Sequence, residues 1–416
     1  MKKTNSEKKF WREATRWMKR QQATEGSGKR TVSDPSKAAN DPMLVRLQTY
    51  LQKRYAFRYN LLTEQTEYSA DGGKQFLPVT RRVMNTFCLD AHTEGVNCWD
   101  KDVERLMNSE KVADYHPFLA YMEQLPQWDG TDRVTPLAQR VSDNALWTVC
   151  FHRWLLGVTA QWEGRRGRSA NSFAPLLVSS EQGRCKSTFC RLLMPESLQP
   201  YYLDKFDLTA ESACERKLAF YGLINMDEFD RYTVRQTAVL KNLMQLVTLP
   251  VRRAYHTGFS ALPRIASFIG TSNRKDLLND PTGSRRYFCI EVKEKIDCSP
   301  LAHNQLFAQL KAELARGERY WFTGDEEIAI QEHNRSFYME DPGKELFHAC
   351  FRLPAPGEPC EELTATEIYC RIRKRYPGVL RTLSPNSFAK MLVASGAERV
   401  HRKFGNVYRV QLTIDN

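Results

Sequence analysis

The sequence predicts an α/β chain: a core on a mostly parallel sheet, a mainly helical region before it, and a small module of two helices and a hairpin behind it. Three observations carry this. Phe173–Ser179, Phe220–Met226, Ile265–Gly270 and Tyr287–Val292 are short, nearly continuous apolar runs separated by helix-like stretches, as strands buried on both faces read. The first run leads straight into a polar turn that opens a helix near Lys186. Past residue 340 the pattern changes to helix, helix and two strands around a turn.

The elements follow in chain order. Residues 21 to 42 lack apolar periodicity and are rich in Ser, Gly, Pro and Lys, so we expect residues 1–42 to be a basic tail and flexible linker. Phe10, Trp11, Trp17 and Met18 fit one short amphipathic helix within that tail. Residues 43–150 are expected to form a mainly helical domain, punctuated by Asp71-Gly72-Gly73 and Asp129-Gly130. The core spans 151–335 and the C-terminal module 340–416. In that module Ser384-Pro385 opens a helix, Phe388, Met391 and Leu392 form its apolar face, Gly396 stops it, and Gly405-Asn406 is expected to turn the hairpin.

Composition narrows the function classes. In 416 residues no apolar run reaches the length of roughly 18 that a membrane-spanning helix needs. The Lys-rich start has no apolar stretch behind it, so we expect no secretory leader and a cytoplasmic location. Eleven cysteines without C-x-x-C pairs read as reduced thiols with no zinc site. Residues 1–40 hold 11 Lys/Arg against 4 Asp/Glu, residues 360–416 hold 10 against 5, and the stretch between balances 40 against 40, so the ends carry the whole net charge of +12. Basic ends on a neutral body suit a partner that is a polyanion, most simply nucleic acid.

The chemistry concentrates after the first apolar run, in Ser180-Glu-Gln-Gly183-Arg184-Cys185-Lys186-Ser187-Thr188. A phosphate-binding loop needs this context of strand, turn and helix. Backbone N–H groups face the anion, a lysine adds charge, and a hydroxyl takes a Mg²⁺ position. The pattern G-x-x-x-x-G-K-[ST] is matched imperfectly, because Ser180 and Cys185 stand where its glycines usually do. Some forty residues on, Asp227 and Glu228 end a second run, where an adjacent strand would bring one carboxylate to the metal and one to a water. Asn273 ends a third run as a polar amide, and Arg285-Arg286 open the fourth with two guanidiniums able to reach a neighbouring subunit.

This ordered set, Trp154-Leu-Leu-Gly, Ser179 to Thr188, Asn225-Met-Asp-Glu-Phe, Ile269-Gly-Thr-Ser-Asn and Gly283-Ser-Arg-Arg-Tyr, resembles the virulence-associated protein E family. Its members are P-loop ATPases similar to superfamily 3 helicases, found on phages and bacterial mobile elements. The resemblance covers about residues 110 to 335 and implies a P-loop NTPase core of the AAA+-like, superfamily 3 type. The chain beyond it resembles a domain that follows this ATPase in Bacteroides-type proteins. In this family's terms Gly183 to Thr188 would bind ATP, with Lys186 on the β/γ-phosphates and Thr188 supporting the loop. Ser187 and Asp227 would hold Mg²⁺, Glu228 would serve the water, and Asn273 would act as sensor. One of Arg285 and Arg286 would be an arginine finger in trans, within a ring that is commonly a hexamer. The family pattern has glycine where this chain has Cys185.

The resemblance also implies a hairpin facing the ring's pore, in the interval holding Lys241, Arg252, Arg253, Tyr255 and His256. Basic residues interleaved with an aromatic would track single-stranded DNA. The C-terminal module fits a winged helix in which Asn386, Ser387, Lys390, Arg402 and Lys403 would meet DNA. Winged helices also serve as protein–protein modules. The sequence thus predicts a DNA translocase or helicase active in replication of a mobile element, with any primase on a separate chain. The alternative is a nucleotide-binding, DNA-binding scaffold of weak ATPase activity. A second rival is a defence or virulence ATPase acting on protein. Trp147, Trp154 and Trp162 recur at helical spacing and read as core.

Overall fold

The computed structural model describes residues 42–416 apart from 166–169, 209–210, 253–258, 279–283, 339–341, 356, 377–384, 404 and 414–416. The tail, most of the linker and the helix expected around Trp11 and Trp17 lie outside the described residues. The chain divides into two compact units: residues up to 275 with 282–335, and residues 276–281 with 336–416.

The first unit begins with the helix Met43–Arg54 and a four-stranded sheet. The strands are β1 (Ala56–Asn60), β2 (Gln65–Ser69), β3 (Leu77–Pro78) and β4 (Ala113–Tyr115), in the order β3-β2-β1-β4. This sheet is a departure from the mainly helical expectation. Its strands are short and rich in polar residues, and their backbone pairing, not an apolar run, defines them. Helices Arg81–Thr93 and Asp100–Met107 pack with it around a core of Leu47, Leu51, Phe87, Val96 and Val103.

The second sheet holds β5 (Ala174–Val178), β6 (Tyr202–Leu203), β7 (Leu223–Met226), β10 (Ser267–Ser272) and β11 (Tyr287–Glu291) in the order β11-β5-β10-β7-β6. Every pairing is parallel. The four expected runs are its strands, with trimmed ends: Phe220 closes the helix Glu211–Phe220, and Ile265 precedes β10. β6, only two residues long, carries no periodic signal. All residues of β5, β7 and β10 are buried, which requires helices on both faces. Gly270 sits where β10 meets both neighbours. A Cβ there would lie 2.6 Å from Leu176 Cδ2 and 3.1 Å from the Met226 carbonyl oxygen.

The helix Ala145–Trp162 starts at Asn144, whose side chain accepts from Trp147 N at 2.9 Å. It buries Trp147, Trp154 and Trp162, so the tryptophans are core. Between β7 and β10 the chain makes the helix Val234–Leu243 and the hairpin β8 (Thr248–Arg252) and β9 (Phe259–Pro263).

In the second unit the helices Pro342–Cys350, Ala365–Arg375 and Pro385–Ala394 accompany β12 (Phe351–Arg352), β13 (Glu361–Thr364), β14 (Arg399–Arg402) and β15 (Gly405–Leu412). Phe347, Ile368, Ile372, Phe388, Leu392 and Val410 form its core. Thr364 and Glu367 cap one helix reciprocally, and Gly396, at φ +86°, follows the end of another. The hairpin turn falls earlier than Gly405-Asn406. Arg402 already pairs with Gly405 and His401 with Asn406, and glycine accommodates φ +128° at the strand's entry.

Candidate functional site

The site is assembled at the C-terminal ends of β5, β10 and β7. Sheet pairing continues one residue past β5, where Ser179 N donates to the Ser272 carbonyl at 3.1 Å. The chain then turns through Gly183 at φ +77° and Cys185 at φ +60°, ψ +24°, and the helix Lys186–Leu192 begins. Phe189 and Cys190 anchor this helix in the core while Gly183, Ser187 and Thr188 stay exposed.

Lys186 is only 8% exposed. Its Nζ donates to the Ser179 carbonyl at 3.1 Å and to Asn273 Oδ1 at 3.0 Å, both uncharged acceptors. Burial lowers its pKa, opposed by the fields of Asp227 and Asp230. Asp227 Oδ1 accepts from Ser187 Oγ at 2.9 Å and from Thr271 Oγ1 at 2.5 Å. Glu228 follows at φ +54°, ψ +50°, a turn that sends its side chain elsewhere: its Oε2 lies 2.8 Å from an Arg231 nitrogen. The Glu228 N–H donates to Thr271 Oγ1 at 3.4 Å.

The structure therefore pairs Lys186 with Asn273 and, one residue on, Ser187 with Asp227 through direct contacts. The strand bearing the acids does not adjoin the loop's strand, as expected from sequence, because β10 lies between them. Asn273 consequently stands between lysine and acids. Two polar residues escaped sequence reasoning. Thr271 links Asp227 to the Glu228 backbone, and Asp230 accepts from Ser272 Oγ at 2.8 Å and Asn273 N at 3.4 Å. No sequence signal singles them out, because their partners lie some forty residues away on other elements.

Three described non-glycine residues have positive φ, and two of them, Cys185 and Glu228, flank this constellation. Backbone strain of this kind concentrates at functional sites. Ser187 and Asp227 are hard oxygen donors already linked to one another, a set that fits one Mg²⁺ completed by water. The space beside Gly183 is open, with no atom other than those of its chain neighbours within 4 Å of where a Cβ would stand.

The remaining expected residues lie elsewhere. Arg184 pairs with Glu181. Arg285 lies 3.0 Å from Glu327, and Arg286 precedes β11. Lys241 is on the helix Val234–Leu243, and Arg252 ends β8. Arg253, Tyr255 and His256 lie outside the described residues. In the second unit, Asn386, Ser387 and Lys390 fall on the helix Pro385–Ala394. Arg402 pairs with Glu362 at 2.7 Å, and Lys403 is exposed at the hairpin end.

The model of the virulence-associated protein E-like domain matches residues 122–339, more than half of the chain. The chain belongs to this family. The site just described falls wholly within the matched VapE-like segment. A domain of unknown function described from a B. theta gene, DUF3874, matches residues 341–410. Among solved structures, the apo C-terminal region of NrS-1 (305-718) is similar at 12% identity and TM-score 0.45, covering 90% of this chain and 100% of that one. A second structure, the A form of the same region, gives the same values. No curated protein matches. Among the described residues no helix is long and apolar enough to cross a membrane.

Proposed function

We propose that this VapE-like protein is a Mg²⁺-dependent ATPase with a P-loop core, using ATP hydrolysis to move on DNA during replication of a phage or mobile element. The observation that carries the reading is the convergence of Lys186, Ser187, Asp227 and Asn273 on the C-terminal rim of a parallel sheet. Open α/β sheets bind ligands at that rim.

Each residue has a role that its surroundings support. Lys186, desolvated and bonded only to neutral oxygens, meets the β/γ-phosphates as a buried positive charge. The backbone from Gly183 to Cys185 directs N–H groups at phosphate, and Thr188 supports the loop. Ser187 and Asp227 hold Mg²⁺, which when bound neutralises phosphate charge. Thr271 keeps the Asp227 carboxylate aimed at that position. Glu228 swings from Arg231 to orient the attacking water, and Asn273 senses the γ-phosphate. Arg285 or Arg286 of a neighbouring copy supplies charge to the transition state, which requires a homo-oligomeric ring, most simply a hexamer. The hairpin β8–β9 and Lys241 face single-stranded DNA in that ring's pore. The C-terminal module acts as a winged helix, its DNA-facing charge reduced by the Arg402–Glu362 pair.

A DNA-stimulated ATPase assay tests this. Lys186→Ala and Glu228→Gln should each lower turnover by at least about 100-fold. Arg252→Glu with Arg253→Glu should weaken single-stranded DNA binding, and native binding should fall steeply with salt. A native chain that binds ATP without turnover would instead be a scaffold. Absence of salt-sensitive DNA binding would favour a protein substrate.

A further inference from the structure

Outside the ATP site, three metal-ligating side chains converge in the small core of the first unit. Cys88 and His92 lie four residues apart on the helix Arg81–Thr93, hence on one face. The helix ends and Gly95 at φ +77° reverses the chain, with Val96 N bonded back to the Ala91 carbonyl. That reversal returns Cys98 to the same face. The two thiol sulfurs stand 3.9 Å apart, and the ligand atoms of all three residues lie within 4.8 Å of one another.

We propose that Cys88, His92 and Cys98 bind a zinc ion. Tetrahedral zinc with Zn–S bonds of about 2.3 Å holds two sulfurs about 3.8 Å apart, so the observed separation is already that of a loaded site. Two sulfurs and an imidazole, with no carboxylate in the cluster, select a soft or borderline cation over Mg²⁺ or Ca²⁺.

Cys88 and His92 share one acceptor. Cys88 Sγ donates to the Cys98 carbonyl at 3.3 Å, and His92 Nε2 lies 2.5 Å from that oxygen. Side-chain rotations away from this oxygen are therefore enough to load the site. Zinc displaces one proton from each thiol, and the two thiolates cancel its charge, leaving a neutral complex beside the buried Cys98. His92 is exposed, and water completes the coordination.

The role is mechanical. Cys98 is buried in a small core with Leu47, Leu51, Phe87 and Val103, and small cores gain most from a covalent or metal staple. Zinc would pin the turn between the helices Arg81–Thr93 and Asp100–Met107 to the first of them.

The test uses the full chain, purified reduced and without chelator. Elemental analysis should find one zinc per chain. Exchange with Co²⁺ should give the intense visible absorption of tetrahedral cobalt together with thiolate-to-metal charge transfer. His92→Ala, an exposed substitution that leaves the fold intact, should weaken zinc binding more than about 100-fold, beyond what loss of an outer-shell partner costs. Cys88→Ser together with Cys98→Ser should abolish the charge-transfer band. Failure of the reduced chain to take up zinc, cobalt spectra without sulfur ligation, or undiminished zinc affinity in His92→Ala would each overturn the proposal. A Cys88–Cys98 disulfide recovered by peptide mapping of metal-free native protein would do so too.

Discussion

Replacing Cys185 by glycine isolates the strain carried by the loop. Cys185 occupies the left-handed region at φ +60°, ψ +24°, where an L-residue's Cβ crowds the following carbonyl at a cost of about 1–2 kcal/mol. Glycine removes that cost and adds unfolded-chain freedom of about 0.4–1 kcal/mol. The difference leaves glycine roughly 1 kcal/mol more stable than alanine at this position. Alanine is the necessary control, because it keeps the Cβ and discards the sulfur, which packs against the main core. Thermal unfolding of the three proteins should rank glycine above alanine by about 1–3 °C, with the native cysteine at or above alanine. The glycine variant should also bind ATP at least as tightly as the native chain, since glycine adopts the loop's left-handed backbone without strain. A glycine variant less stable than the alanine variant would refute the reasoning.

Other perturbations reach different parts of the account. Thr271→Val removes the hydroxyl that joins Asp227 to the Glu228 backbone; because Asp227 keeps Ser187 and is partly exposed, urea unfolding should show a loss of about 1 kcal/mol, and Mg²⁺–ATP affinity should fall. His116 caps the helix Pro117–Glu123 by accepting from Leu119 N at 3.4 Å, and burial lowers its pKa from 6.5 to about 4. Between those values the unfolded chain binds a proton that the native one does not, so stability is complete above pH 6.5 and is lost as pH falls toward 4, by roughly 3 kcal/mol. His116→Asn retains a capping oxygen, and unfolding measured across that pH window should lose this slope.

What the sequence made legible follows from the strength of its periodic signals. The runs at β5, β7, β10 and β11 are buried on both faces, so their apolar character shows directly, and the loop chemistry sits at their ends. The strand order did not show, because it depends on which helices cross which face. That is why β10 was not foreseen between the loop and the acids. The sheet of β1–β4 escaped for a different reason: Ala56–Asn60 and Gln65–Ser69 are short, polar and partly exposed. Thr271 and Asp230 act through hydrogen bonds whose partners come from other strands, which spacing does not encode. Cys88, His92 and Cys98 show the same limit. Their C-x3-H-x5-C spacing carries no familiar zinc signature, and only the reversal at Gly95 brings the three together.

The most direct measurement is imaging the full chain with a non-hydrolysable ATP analogue and Mg²⁺. A triphosphate is expected between residues 179–188 and Asp227, with Arg285 or Arg286 of an adjacent copy at its γ end in a closed ring. Nucleotide bound away from Lys186, or a monomer whose rim admits no γ-phosphate, would contradict it.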